Sequence, residues 1–184
     1  MTQAVLAIPD SDIAPVTDGG VIDLNTCELG NISEMKFEIE ACARGWLVAS
    51  PRGRSRDFDC IVKRQNTRPV TIQIKRARKK LDHSYLFNTS RGLGKTGRRV
   101  LYSQSAFDVL AVHLVDIDKW IFYSREEIGT RQGITYTLPE LRKNAPYPGA
   151  TRARNVDNWS LIDDVAQSLI NSGSGTANVP PPVK

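Results

Sequence analysis

Histidine and cysteine are scarce in this chain of 184 residues: His83 and His113 are its two histidines, and Cys27, Cys42 and Cys60 its three cysteines. The cysteine count is odd and no CxxC pair occurs, so neither a disulfide framework nor a structural zinc site is expected. The cysteines read instead as small buried hydrophobes of a reducing compartment. Long apolar runs are missing as well. VLAVHLV is strand-sized, far short of the roughly 20 residues that span a bilayer, so no membrane contact is expected. The start, MTQAVLAIPDSD, has no basic segment ahead of a long apolar one and does not read as a secretory signal. Disorder throughout is excluded by composition, 40% hydrophobic against 24% charged, which suffices for one domain with a real core.

What the sequence does hold is positive charge in one place. The net charge is +5, yet the window from Lys75 to Arg99 carries nine basic residues against the single acid Asp82. The bases are Lys75, Arg76, Arg78, Lys79, Lys80, Arg91, Lys95, Arg98 and Arg99. The window is therefore +8 and the remainder sums to −3. A concentrated basic segment in a mildly acidic chain is what a polyanion-binding surface requires, although a solvated basic face has the same composition. On the sharper reading Arg76, Arg78, Lys79, Lys80, Arg91, Lys95, Arg98 and Arg99 hold a nucleic-acid backbone, with affinity that falls as salt rises.

Periodicity organises the rest. Residues 1–25 read as an irregular arm, 26–170 as one domain, and 171–184, rich in Gly, Ser and Pro, as a flexible tail. GNISEMKFEIEACARGW is the clearest helix. Ile32, Met35, Ile39, Cys42 and Trp46 form its longer apolar stripe, Phe37 and Ala41 a shorter one in line with Glu34, and Gly45 a terminator. Glu34 has two readings: a functional acid where the second face emerges, or, with Asn31 as N-cap, the acid of a capping box. Glu28, Glu38 and Glu40 compete with it. WLVAS is a short strand and PRGRSR a turn.

In RDFDCIVKRQNTRPVTIQIK, Phe58, Cys60 and Val62 alternate with Asp59, Ile61 and Lys63, and Val70, Ile72 and Ile74 alternate with Thr71, Gln73 and Lys75. A turn centred on Asn66 pairs Lys63 with Pro69 and Asp59 with Gln73, and Lys75 joins that face. A slip of one residue would send the polar set to the other side. FDVLAVHLV, KWIFYS and GITYTLP continue as strands, REEIG as a short helix and DNWSLIDDVAQSLI as a closing helix. The order is helix, three strands, basic segment, two strands and helix, an α/β layout with a mixed central sheet.

Asp59, Gln73 and the carbonyl of Ile74, with Glu34 if the helix packs over that end, are the hard oxygen donors that Mg²⁺ or Mn²⁺ accepts. Lys75 is placed to hold an attacking water or to stabilise charge on phosphorus. RGLGKTG is not a P-loop, because Thr89 stands where its first glycine is needed. His113 reads as a core histidine and His83 as a neighbour of the basic run. Tyr85, Phe87 and Tyr102 are read as packing residues or as platforms for bases. No Ser or Cys has a partner His in a suggestive position.

An acid on a first helix, an aspartate opening a strand and QxK closing the next resemble the PD-(D/E)xK nuclease superfamily. GNISEMKFEIEACARGWLVASPRGRSRDFDCIVKRQNTRPVTIQIKRA is similar to its Holliday-junction-resolvase-like branch. Group I intron homing endonucleases of this type share the glutamine. The resemblance spans roughly 28–165 and implies a restriction-endonuclease-like mixed β-sheet core (αβββ…ββα) flanked by helices. It further implies Glu34, Asp59, Gln73 and Lys75 as the active-site set, magnesium as cofactor and DNA hydrolysis as the activity. Homo-oligomers are expected if both strands are cut symmetrically. Gln73 in place of an acid lowers the site's negative charge. Phe58, not proline, precedes Asp59, and Asp57 on the same face is an alternative ligand. The other function in view is a non-catalytic nucleic-acid-binding protein that keeps the fold. The expected location is cytoplasmic, at the nucleoid or in a phage- or intron-encoded setting.

Overall fold

The computed structural model describes residues 25–52, 57–80, 84–92, 98–137 and 156–173. The arm before Asn25, the tail beyond Gly173, His83 and Lys95 lie outside the described residues. No helix among those described is long and apolar enough to cross a membrane.

Helix α1 runs Thr26–Ala43. Asn25 caps it, its side chain accepting from the amides of Cys27 at 2.9 Å and Glu28 at 3.1 Å, while Glu28 takes the Asn25 amide at 2.7 Å. The capping box therefore belongs to Glu28 and starts well before Asn31, which leaves Glu34 in mid-helix, free of that duty. Gly45, at φ +85°, ends the helix as expected. The stripe that packs inward is the shorter one, Phe37 and Ala41 with Ser33. Ile32, Met35 and Ile39 are 43%, 55% and 69% exposed, and Trp46 lies beyond the helix end, buried. Aromatic packing settles the choice of face: within the helix Phe37 packs between Trp120 and Trp159 at 5.4 and 5.3 Å, whereas Ile32, Met35, Ile39 and Cys42 carry no ring.

The strands are β1 (Leu47–Ala49), β2 (Cys60–Lys63), β3 (Val70–Arg76), β4 (Arg78–Lys79), β5 (Ser84–Asn88), β6 (Ser90–Gly92), β7 (Arg99–Leu101), β8 (Val109–Leu114), β9 (Lys119–Ser124) and β10 (Gly133–Thr137). Helices α2 (Arg125–Ile128) and α3 (Ser160–Gly173) complete the set, α3 covering the first three residues assigned to the tail. A five-stranded sheet has the order β1-β2-β3-β8-β9. Only β3 and β8 pair in parallel within it, so the central sheet is mixed. The β2–β3 register pairs Cys60 with Ile72 and Val62 with Val70 around Asn66 at φ +62°, the register the alternation dictates.

Two cores cover the two faces. On one, α1 and α3 bury Phe37, Trp46, Trp159 and Ile162 against Ile72, Ile74, Trp120 and Phe122. On the other, Tyr85, Phe87, Ile134 and Tyr136 of the small sheet β10-β5-β4 pack against Leu110, Val112 and Tyr123. The basic segment, read from sequence without regular structure, thus contributes β4 to β7. Its charges conceal short strands whose apolar side chains, Tyr85 and Phe87, do alternate. Both rings are packed in the core, as is Tyr102, and none is a platform for bases. His113 is a core histidine, stacked on Trp120 at 4.5 Å with Nδ1 3.0 Å from the Ser33 hydroxyl. The cysteines depart from expectation: Cys60 is buried, but Cys27 and Cys42 are exposed on α1 because their positions face away from the sheet.

Candidate active site

The ladder between β2 and β3 ends at Asp59, whose amide donates to the Ile72 carbonyl at 2.8 Å. Beyond that point the strands splay and the Asp59 side chain replaces the missing strand. Its Oδ2 accepts from the Ile74 amide at 2.6 Å and from the Gln73 side-chain amide. Gln73 is only 3% exposed, and its Nε2 also lies 3.3 Å from the Ile74 carbonyl, so its donor side is satisfied inside the protein. Lys75, two residues on, reaches the same end, its ammonium 5.5 Å from the centre of the Tyr102 ring.

Glu34 reaches this group from α1. Burial raises its carboxyl pKa most, and the charge of Asp59 raises it further, against the opposing pull of Lys75. Asp59 is likewise raised, chiefly by burial, with the Ile74 amide, Lys75 and Gln73 working the other way. Two half-buried carboxyls whose ionisation burial makes harder, beside amide and carbonyl oxygens, make an oxygen-donor set that a hard divalent cation relieves. Among the described residues no three His, Cys, Asp or Glu side chains converge, so any such ion relies on neutral oxygens and water for the rest of its shell.

Asp57 stands apart from this cluster, paired with Arg91 at 2.5 Å. The basic residues divide in the same manner. Lys79 is held by Asp116 at 2.8 Å, Arg91 by Asp57, and Arg99 by the hydroxyl and carbonyl of Ser90. Arg76, Arg78, Lys80 and Arg98 are exposed and show no internal partner among the described residues. Arg76 and Arg78 directly follow the strand residues Gln73 and Lys75.

The support behind Lys75 has no signature in the sequence. The buried Arg125 guanidinium donates to the carbonyls of Tyr102 at 2.7 Å, Ser103 at 3.0 Å and Gly129 at 2.9 Å, fixing the backbone that carries the Tyr102 ring. An arginine in the first turn of a four-residue helix carries no pattern that distinguishes it from a surface charge.

The raised carboxyls have a consequence for stability. A carboxyl whose pKa is higher in the folded than in the unfolded chain binds extra protons when folded, so its ionisation weakens the fold. The stabilisation is whole below the unfolded value, about pH 4, and is lost as pH climbs through the folded one. Asp59→Asn, which keeps an oxygen for the Ile74 amide, is therefore expected to raise the urea midpoint at neutral pH in EDTA. The advantage should shrink on acidification, and equal midpoints at neutral pH would contradict it.

The sequence model of a family described as PD-(D/E)XK endonuclease matches residues 24–161. The solved structure of a bacterial homing endonuclease, I-Ssp6803I, superposes on 82% of this chain and 99% of its own with a TM-score of 0.65. At 16% identity that likeness is one of fold, and it agrees with a restriction-endonuclease-like mixed sheet flanked by helices. No curated protein matches the chain.

Proposed function

Because the chain belongs to the PD-(D/E)XK endonuclease family, we propose that it hydrolyses phosphodiester bonds of DNA with Mg²⁺, replaceable by Mn²⁺, at Glu34, Asp59, Gln73 and Lys75. The observation that supports this most is the meeting of Asp59, Gln73, Ile74 and Lys75 at the splayed end of β2 and β3, continuous with Arg76 and Arg78. Asp59, Glu34, the Gln73 side-chain oxygen and the Ile74 carbonyl would hold the cation. When bound, it supplies charge neutralisation at the scissile phosphate and acidifies water.

The chain's own groups do the rest. The Ile74 amide fixes one oxygen of Asp59 and so orients the other. Gln73 turns its amide nitrogen to Asp59, which leaves the side-chain oxygen for the ion or its water. Lys75 offers an ammonium to the attacking water or to the negative charge that grows on phosphorus. Arg76, Arg78 and Lys80 hold the adjoining backbone.

The purified protein is to be incubated with supercoiled plasmid, a four-way junction and single-stranded DNA, each with Mg²⁺ or Mn²⁺. Cutting of plasmid in preference to the junction is the result a homing-type enzyme gives, and preference for the junction is the resolvase result. Binding without cutting of any substrate would favour the second reading, a nucleic-acid-binding protein on a nuclease fold, which Gln73 in place of an acid supports. Calcium calorimetry separates the two, since the enzyme needs a competent cation site and the binder does not.

The unpaired bases should differ from the paired ones in a graded way. Alanine at Arg76, Arg78 or Lys80 is expected to weaken DNA binding and lower the salt slope by about 0.9 for each phosphate no longer neutralised. Alanine at Lys79, which already neutralises Asp116, should change both less. Binding titrations at several salt concentrations measure this.

A further inference from the structure

The proposed chemistry makes no use of His113, a buried titratable group close to the site. His113 stands on β8 opposite Arg76 of β3, one pair beyond Lys75. Its Nδ1 lies 3.0 Å from the hydroxyl of Ser33, a buried residue of α1, and its Nε2 lies 3.3 Å from Oδ1 of Asp118 in the β8–β9 turn. Lys36 holds the Asp118 carboxyl below its ordinary range, so it is ionised and only accepts. Nε2 therefore carries the ring proton. Burial lowers the His113 pKa from its ordinary value against the pull of Asp118, so at pH 7 the ring is neutral and Nδ1 accepts from Ser33. We infer that His113 is a positioning residue, which through Ser33 sets the rotation of α1 that brings Glu34 beside Asp59. The inference rests on the nuclease reading, in which Glu34 holds the cation.

Successive residues of a helix stand about 100° apart around its axis. With Ser33, Phe37 and Ala41 turned to the sheet, Lys36 and Glu40 fall on one flank and Glu34 and Glu38 on the other. The contacts follow that division. Lys36 meets Asp118 at 3.0 Å and Glu40 accepts from the Trp120 indole at 3.0 Å, both towards β9 at one edge of the sheet. Glu38 accepts from the Ser50 hydroxyl just past β1 at the other edge, and Glu34 lies within the field of Asp59, which precedes β2. Phe37 between its two indoles holds the helix down, yet apolar contact is non-directional and tolerates a roll. The Ser33–His113 bond is buried and directional, and it sits one residue before Glu34. It fixes the roll where the carboxylate leaves the helix. The Lys36 pairs reach solvent and constrain it less.

Ser33→Ala removes the hydroxyl and leaves a residue that suits a helix. Calcium binding measured by calorimetry is expected to weaken about tenfold, the scale of one buried hydrogen bond. The Mg²⁺ concentration for half-maximal plasmid cleavage should rise with it, while cleavage recovers at saturating Mg²⁺ and DNA affinity in EDTA stays unchanged. His113→Leu should match Ser33→Ala. His113→Asn, whose side-chain oxygen can stand where Nδ1 does, should recover most of the wild-type requirement. Ile134→Val, a core change on the other face of the sheet, should lower the urea midpoint and leave the Mg²⁺ requirement alone. Unchanged calcium affinity in Ser33→Ala, from a wild type that binds calcium and cuts, overturns the inference and leaves the nuclease reading standing. The same rise in Ile134→Val, or His113→Asn no better than His113→Leu, overturns it equally. A wild type that neither takes up calcium nor cuts removes the nuclease reading, and this inference with it.

Discussion

Asp59→Ala is expected to slow DNA cleavage at least about a hundredfold, the scale on which losing one preorganised charge-stabilising group slows an enzyme. On the proposed function the effect has two parts, because the carboxylate would hold the cation and it also accepts from the Ile74 amide of β3. Plasmid nicking reads the first and calcium calorimetry assigns it: the heat of binding should vanish in Asp59→Ala. Lys75→Ala is expected to lose cleavage on a similar scale and keep the heat, since in the proposed role the ammonium would take part without being a ligand. Gln73→Glu adds the negative charge this site lacks and should tighten calcium binding. Full plasmid cleavage by Asp59→Ala would remove the site assignment altogether.

The second large effect lies in the core. Trp120→Ala is expected to cost about 3–5 kcal/mol, the range for deleting a buried aromatic. Trp120 is fully buried, meets Phe37 at 5.4 Å and Trp159 at 6.2 Å, and lies flat on His113. Its indole nitrogen donates to Glu40 at 3.0 Å, so the change also leaves that half-buried carboxylate without one of its partners. Against a total of about 5–15 kcal/mol for an ordinary domain, such a loss is a large fraction of the stability. Denaturant titration followed by circular dichroism measures it. Trp120→Phe, which keeps a ring between Phe37 and His113, should lose less. Because Phe37 and Glu40 both belong to α1, the same packing fixes the helix that carries Glu34.

The hairpin that builds the site is legible in the sequence because its signal is local. Alternation over Cys60–Lys63 and Val70–Arg76, with Asn66 able to take positive φ, leaves one register that keeps Val62, Val70 and Ile72 inside. The closing helix declares itself by period in the same way. The face of α1 is not legible, since both of its stripes have helical spacing. What separates them is the partner surface, Trp120 and Trp159, which lie far along the chain. The strands of the basic segment escape for a related reason: β4, β6 and β7 have two or three residues each, too few to show a period.

Within the site, Asp59 and Gln73 are placed by register, whereas the ion pairs that occupy Asp57 and Lys79 depend on Arg91 and Asp116, residues brought near by tertiary folding. Charge counted along a sequence overstates the charge available to a ligand. Among the described residues it is the unpaired ones, Arg76, Arg78, Lys80 and Arg98, that remain for it.

The Asp59 carboxylate joins the proposed chemistry to the architecture: one oxygen accepts from the Ile74 amide, and the other would face the cation. On the proposed role of Asp59, a descendant of this chain that ceased to cut would be released from needing an acid at position 59, but not from needing an acceptor there for the Ile74 amide. Asparagine meets the second requirement without the first, and a single base change in an aspartate codon supplies it. Retired versions of this enzyme should therefore carry Asn at that position more often than Ala or Gly, and the substitution would serve as a molecular fossil of lost activity.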